Sequence, residues 1–117
     1  MTKKTQLYFE DLKEGDEIPT LTKISTTVMA VRWAGASGDF NPHHYDDTYA
    51  NEVAGTQKII THGALKRAWL VQLMTDWTGD KGFLKKFACQ YRGMDFPRRM
   101  KSFTEPMDGD TWWCKGI

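Results

Sequence analysis

The chain has 117 residues and a mass of 13.5 kDa, enough for one hydrophobic core and too short for two. With 40% hydrophobic residues and 16 Lys+Arg against 15 Asp+Glu, it is no disordered tail, and a formal charge of +1 leaves too few uncompensated cations for a nucleic-acid binder. No apolar run reaches the roughly 18 residues of a membrane span, and Met1–Gln6 lacks a signal-peptide core. The composition therefore reads as a single cytoplasmic domain over 1–117, with no nucleic-acid or membrane partner.

Cys89 and Cys114 are far apart and form no CxxC pair, so they read as small core-facing hydrophobes rather than a disulfide or zinc ligands. Five Trp, four Tyr and six Phe exceed what so small a core needs, which suits a partner subunit or a large apolar ligand.

In chain order, Gly15-Asp16 marks a turn that leads into an extended segment ending at Pro19. Leu21–Thr27 alternates and is β-branched, predicting a strand. Ser25, Thr26 or Thr27 then caps a short helix over Val28–Ala36, with Val28, Val31, Arg32 and Gly35 at helical spacing and Gly38 as the stop. Asp39–Thr48 is a polar loop in which Pro42 forbids helix continuation and pushes Asn41 into extended backbone. Tyr49–Ile60 is mixed, broken at Gly55.

Thr61–Trp77 is the longest periodic run, with Leu65, Ala68, Trp69, Gln72, Leu73 and Trp77 on one face and Leu70 and Met74 beside it. It predicts a helix buried on most sides, ended by Gly79–Gly82. Phe87, Cys89 and Tyr91 alternate with polar neighbours and predict a half-buried strand. Met94–Asp110 reads as a long loop, and Thr111–Ile117 as a final strand.

The densest chemistry lies in Ser37-Gly38-Asp39-Phe40-Asn41-Pro42-His43-His44, followed by Thr61-His62-Gly63 at a helix start. A carboxylate and an imidazole on one proline-kinked loop can converge on a single water, hold it and move its proton, as general acid/base catalysis requires. Gly63 at a helix N-terminus offers unpaired N–H groups to a carbonyl oxygen that becomes an oxyanion, and its missing Cβ permits close approach. On the residues alone, an Asx turn with neighbouring surface histidines accounts for the same pattern.

The run Gly38-Asp39-Phe40-Asn41-Pro42-His43-His44, with Asp46 and Ala50 after it, resembles the G-D-x-N-P-x-H…A signature of the MaoC-like (R)-specific enoyl-CoA hydratases. His62-Gly63 and the helix behind it resemble the start of that family's central helix, so the resemblance covers about Ile24 to Trp77. It implies an α+β hot-dog fold, an antiparallel sheet wrapped around one long central helix, here Thr61–Trp77, and usually a dimer. It implies that Asp39 and His44 activate the water added to C3 of a trans-2-enoyl thioester or, in reverse, dehydrate a (3R)-hydroxyacyl thioester. Asn41 would position the pair, and Gly63, with His62 beside it, would bind the thioester oxygen. Coenzyme A enters as part of the substrate; no cofactor and no metal are implied.

Three departures from the pattern carry expectations of their own. The residue before the base is usually aliphatic but is His43 here; spacing from Asp39 favours His44 as the base and leaves His43 a supporting role. Residues Arg98–Met107 look like an insertion that shapes the pocket or a subunit contact. A complete hot-dog sheet has strands after Thr111–Ile117, which a longer chain or a partner subunit would supply, so a homodimer or a heteromer with a second MaoC-like subunit is expected. A short likeness at Leu70–Asp80 points to small subunits of heteromeric hydratases for bulky CoA esters.

Arg92, Arg98, Arg99 and Lys101 are candidate contacts for coenzyme A phosphates, or for the acidic surface of an acyl carrier protein. The alternative functions are a non-catalytic partner subunit, which would lack the Asp39/His44 pair, and a hot-dog thioesterase, which would place its acid on the central helix. Asp76 lies at that helix's far end. A metal site at His43, His44, Asp46, Asp47 and His62 lacks a helical H-x-x-x-H pair or Cys ligands, and Pro42 rules out helical presentation of its first cluster.

Overall fold

A computed structural model describes residues 6–107 and 111–117. The end of the expected Met94–Asp110 loop, residues 108–110, therefore lies outside the described residues. Strand β1 runs over Ile18–Ile24 and pairs antiparallel with β2, Thr111–Gly116, in a two-stranded sheet. Leu21 faces Cys114, Thr22 faces Trp113 and Lys23 faces Trp112, with an irregular register between Ile18 and Leu21. Side chains on β2 alternate as a one-sided sheet demands: Cys114 is buried and Trp112 half-buried, whereas Trp113 and Lys115 are exposed.

Helix α1 spans Thr27–Ser37. Thr26 caps it, its Oγ1 accepting from the Met29 N–H at 3.2 Å, and it ends at Gly38 with φ of 76°, a left-handed stop that favours glycine. Its buried positions are Ala30 and Ala34. The stripe expected from Val28, Val31, Arg32 and Gly35 is therefore not the inward face, and Val31 is 63% exposed. A 3-10 turn at Pro42–His44 and a π-helical turn at Tyr49–Val53 follow. Asn41 is extended before Pro42, as expected, and Gly55 adopts a positive φ of 67°.

Helix α2, Gly63–Thr78, lies across the sheet and packs on both strands. The core is Ile18, Leu65, Trp69, Leu73 and Cys114, flanked by Leu21, Trp33, Leu70, Met74, Trp77 and Trp112. Leu65, Trp69 and Leu73 are α2's buried residues, and within the helix only Arg67, Thr75 and Asp76 are exposed, the remaining positions being half-buried, as expected of a helix covered on most sides.

Two strand expectations are corrected. The first strand starts three residues earlier than Leu21 and ends before Ser25, because Ser25 bonds Thr61 and the Arg98 N–H while Thr26 turns to cap α1. The segment around Phe87–Tyr91 is not a strand. Phe87 and Cys89 are half-buried, but among the described residues no strand pairs with them, and alternation alone gives no ladder. The chain is thus α+β, with two strands in the described residues in place of the full sheet that the family resemblance implied.

Candidate active site

Two buried hydroxyls fix the floor of the site. Ser25 Oγ lies 2.9 Å from Thr61 Oγ1, and the backbone N–H of Thr61 donates to the Asp95 carbonyl at 2.7 Å. These bonds seat Thr61-His62 just before α2, with His62 as its N-cap and wholly buried. Nε2 of His62 donates to the backbone carbonyl of Asp39 at 3.1 Å, tying the loop after α1 to the start of α2. That leaves Nδ1 of His62 a buried nitrogen without a partner.

The polar loop folds on itself through short-range bonds. Asp39 Oδ1 accepts from the Asn41 N–H at 3.3 Å, and Asn41 Oδ1 accepts from the His43 N–H at 3.4 Å, an Asx-type arrangement. Asn41 therefore orients Asp39 through its backbone. The His44 backbone N–H returns to the Asn41 carbonyl at 3.0 Å, and the Ile60 N–H to the His43 carbonyl at 3.1 Å.

Three imidazoles and a carboxylate meet here. His44 is 6% exposed, so it is not on an open wall, whereas the Asp39 side chain is 45% exposed. Nε2 of His44 lies 3.8 Å from Asp39 Oδ2. Nδ1 of His44 donates to the Ile60 carbonyl at 2.8 Å, which leaves Nε2 of the neutral ring as an acceptor. Burial holds the His44 imidazole below the ordinary histidine range, and His62 adds to this, against the Ile60 carbonyl and Asp39. His43 is lowered too, by burial and by His44, with Asp39 opposing. The His44 and His62 rings stack with centroids 3.6 Å apart and planes 20° apart.

Ligand atoms of Asp39, His44 and His62 lie within 4.8 Å of one another. The two stacked rings, however, direct their in-plane lone pairs side by side rather than toward one point, which is not a coordination geometry. The arrangement suits proton transfer better. A water about 2.8 Å from both Nε2 of His44 and Oδ2 of Asp39 would donate one hydrogen to each and keep an oxygen lone pair free for attack.

A cavity of about 230 Å³ opens beside His44, lined by Thr27, Val31, Tyr45, Asp47, Ile59, Arg99 and Met100. The exposed Val31 is thus accounted for as cavity wall. The segment expected to be an insertion supplies two of these residues. It is laced to the start of α1: the Thr27 N–H donates to the Arg98 carbonyl at 2.9 Å, the Arg98 N–H to the Ser25 carbonyl at 3.0 Å, and the Met100 N–H to Thr27 Oγ1 at 3.0 Å. Sequence reasoning singled out neither Val31 and Met100 as cavity wall nor Ser25 and Thr61 as its support, since only the long-range pairing brings them together.

The four candidate phosphate contacts do not share one cavity. Arg92 lines a separate pocket of about 280 Å³ with Lys66, Arg67 and Tyr91, and bonds Gln90 at 2.6 Å. Arg98 pairs with Glu105 at 3.0 Å, and Arg99 pairs with Asp47, whose carboxyl it holds below the usual range. Lys101 borders a shallower hollow with Val28 and Phe103. At Gly63 a Cβ would stand 3.3 Å from the Tyr91 ring, so the first turn of α2 is closely covered by an aromatic that only glycine admits without displacement.

Among the described residues no helix is long and apolar enough to cross a membrane. No curated protein matches the chain. A family model does match, that of the MaoC like domain, over residues 10–100, which takes in both ends of the site from Asp39 to Gly63 and the segment through Met100. The chain belongs to the MaoC-like dehydratase domain family.

Proposed function

We propose that the protein is an (R)-specific enoyl thioester hydratase, working in either direction between a trans-2-enoyl-CoA and its (3R)-hydroxyacyl-CoA. The observation that carries this reading is the 3.8 Å approach of Asp39 Oδ2 to Nε2 of a buried, neutral His44 beside a cavity, in a chain of the MaoC-like family. The carboxylate and the imidazole bind one water; the base takes its proton as the oxygen bonds C3, and the same proton is returned at C2. Atoms balance without an added redox partner. The negative charge that develops on the thioester oxygen is met by the N–H groups of the first turn of α2 at Gly63, one residue from the ring stacked on His44.

On this reading the two strands and α2 form part of a hot-dog sheet around its central helix. The assembly is a homodimer or a heteromer with a second MaoC-like subunit. Coenzyme A phosphates, or an acyl carrier protein, are met by Arg92 or Lys101, the members of the basic set outside the Arg98–Glu105 and Arg99–Asp47 ion pairs. The test is hydration of crotonyl-CoA and of a bulky enoyl-CoA, followed by loss of the conjugated thioester absorbance, with product stereochemistry. (3R) product, lost in His44→Ala, supports the reading; thioester hydrolysis without hydration would replace it with the thioesterase alternative.

A further inference from the structure

His43 stands where the pairing of Asp39 with His44 needs no second histidine. Its Nε2 lies 2.9 Å from Nε2 of His44, the rings edge-on with centroids 4.0 Å apart. The direction of that bond is forced. The Ile60 carbonyl can only accept, so Nδ1 of His44 carries the proton and its Nε2 is a bare lone pair. His43 therefore carries its proton on Nε2 and donates it. An imidazole nitrogen has a single in-plane lone pair, and His43 occupies the one that an attacking water would use.

We infer that His43 is a positioning residue that caps the base: in the free protein its Nε2–H holds His44 in the neutral, proton-accepting form, and the reacting water takes its place on that nitrogen when substrate binds. The second half rests on the hydratase reading; the first does not. The build of the loop suits such an exchange. His43 is half-buried and on the outside, His44 is buried beneath it, and the His43 backbone is held at both its N–H and its carbonyl, so the ring can turn away while the main chain stays. The charged and titratable groups facing His44 are the Asp39 carboxylate, the stacked His62 and, across the cavity, the Asp47–Arg99 ion pair. A donor on the bare nitrogen favours the neutral ring, so removing it raises the pH at which His44 takes up a proton.

The chain has three histidines, so nitrogen–proton correlation spectra of the imidazoles can follow each one through a pH titration. The expected result is His44 in the Nδ1–H tautomer and His43 in the Nε2–H tautomer. In His43→Leu the His44 midpoint should rise by roughly 0.5–1 pH unit, and in His43→Gln, whose amide N–H restores a donor, it should stay near the parent. The acid limb of kcat/KM, which reports the free enzyme, should move with that midpoint in His43→Leu, a loss of about 3–10-fold below the limb. The acid limb of kcat should not move, because in the complex water has replaced His43. An unchanged His44 midpoint in His43→Leu would overturn the cap, and kcat and kcat/KM limbs that shift together would overturn the displacement. A shifted midpoint in a folded protein that hydrates no enoyl thioester would support the cap and refute the hydratase reading.

Discussion

The imidazole of His62, wholly buried at the start of α2, lies flat against that of His44 at 3.6 Å between centroids. Through this contact and the hydrogen bond from His62 to the Asp39 backbone carbonyl at 3.1 Å, the helix that forms the core also sets the distance between Asp39 and His44. His62→Ala should therefore affect both fold and site. Loss of the hydrogen bond and of the packed ring should cost about 2–4 kcal/mol in denaturant unfolding, and turnover should fall further than the folded fraction does.

Replacing Asp39 should leave the fold nearly intact, whereas replacing His44, which is buried and bonded to the Ile60 carbonyl, should also cost stability. Asp39→Asn and His44→Asn should each reduce turnover by roughly 10²–10⁴-fold, the usual contribution of a positioned acid or base. The melting temperature of Asp39→Asn should stay close to the parental value, because that side chain is 45% exposed and its backbone keeps the loop's hydrogen bonds. Steady-state rates on enoyl-CoA, alongside thermal unfolding, check this.

Stability should depend on pH near neutrality. His43 and His44 titrate below the ordinary imidazole value of about 6.5 in the folded chain, chiefly because partial burial of the one and burial of the other withdraw them from water. Between that lowered value and the ordinary one, the unfolded chain binds protons that the folded chain does not. Stability is therefore greatest above about pH 6.5 and falls as pH drops through this window. Denaturant midpoints between pH 8 and 5 should show the decline, and His43→Gln should flatten it. Asp47 and Glu105, both held below the carboxylate range by their partners, add a second loss only at more acid pH.

The buried scaffold of the site should be more sensitive than the exposed groups at its rim. Ser25→Ala leaves the buried Thr61 hydroxyl without its 2.9 Å partner and should cost about 1–3 kcal/mol. Leu73→Ala, at a core position that is 4% exposed, should cost about 2–5 kcal/mol. Arg99→Ala removes an ion pair whose side chains are 63% and 44% exposed, and should change stability by no more than about 1 kcal/mol. Because Arg99 lines the cavity beside His44, that variant should instead change the ranking of short and bulky enoyl substrates.

Much of this organisation was legible from local signals. The two helices announce themselves by caps and period: Thr26 and Gly38 bound α1, and Gly63 and Gly79 bracket α2 within a residue or two of the expected ends. The Asp39–His44 loop was legible because proline and the Asx turn act within a few residues. Long-range pairing was not. Phe87–Tyr91 has the alternation of a strand but no strand beside it among the described residues. Ser25 and Thr27 look like strand residues until the Arg98 segment and Thr61 claim their hydrogen bonds. The helical spacing of Val28, Val31, Arg32 and Gly35 does not mark the inner face of α1, which Ala30 and Ala34 fill, and Val31 is an exposed cavity wall. His43 read as a supporting residue; its bond to His44 depends on which nitrogen Ile60 claims, which no spacing reveals.

The most direct test of the central claim is the stereochemistry and rate of hydration of crotonyl-CoA by the parent protein and by His44→Ala, measured side by side on folded samples. A (3R)-hydroxy product from the parent and a fall of at least about 10²-fold in the variant are expected. A (3S) product, or a His44→Ala variant turning over at the parental rate, would contradict it.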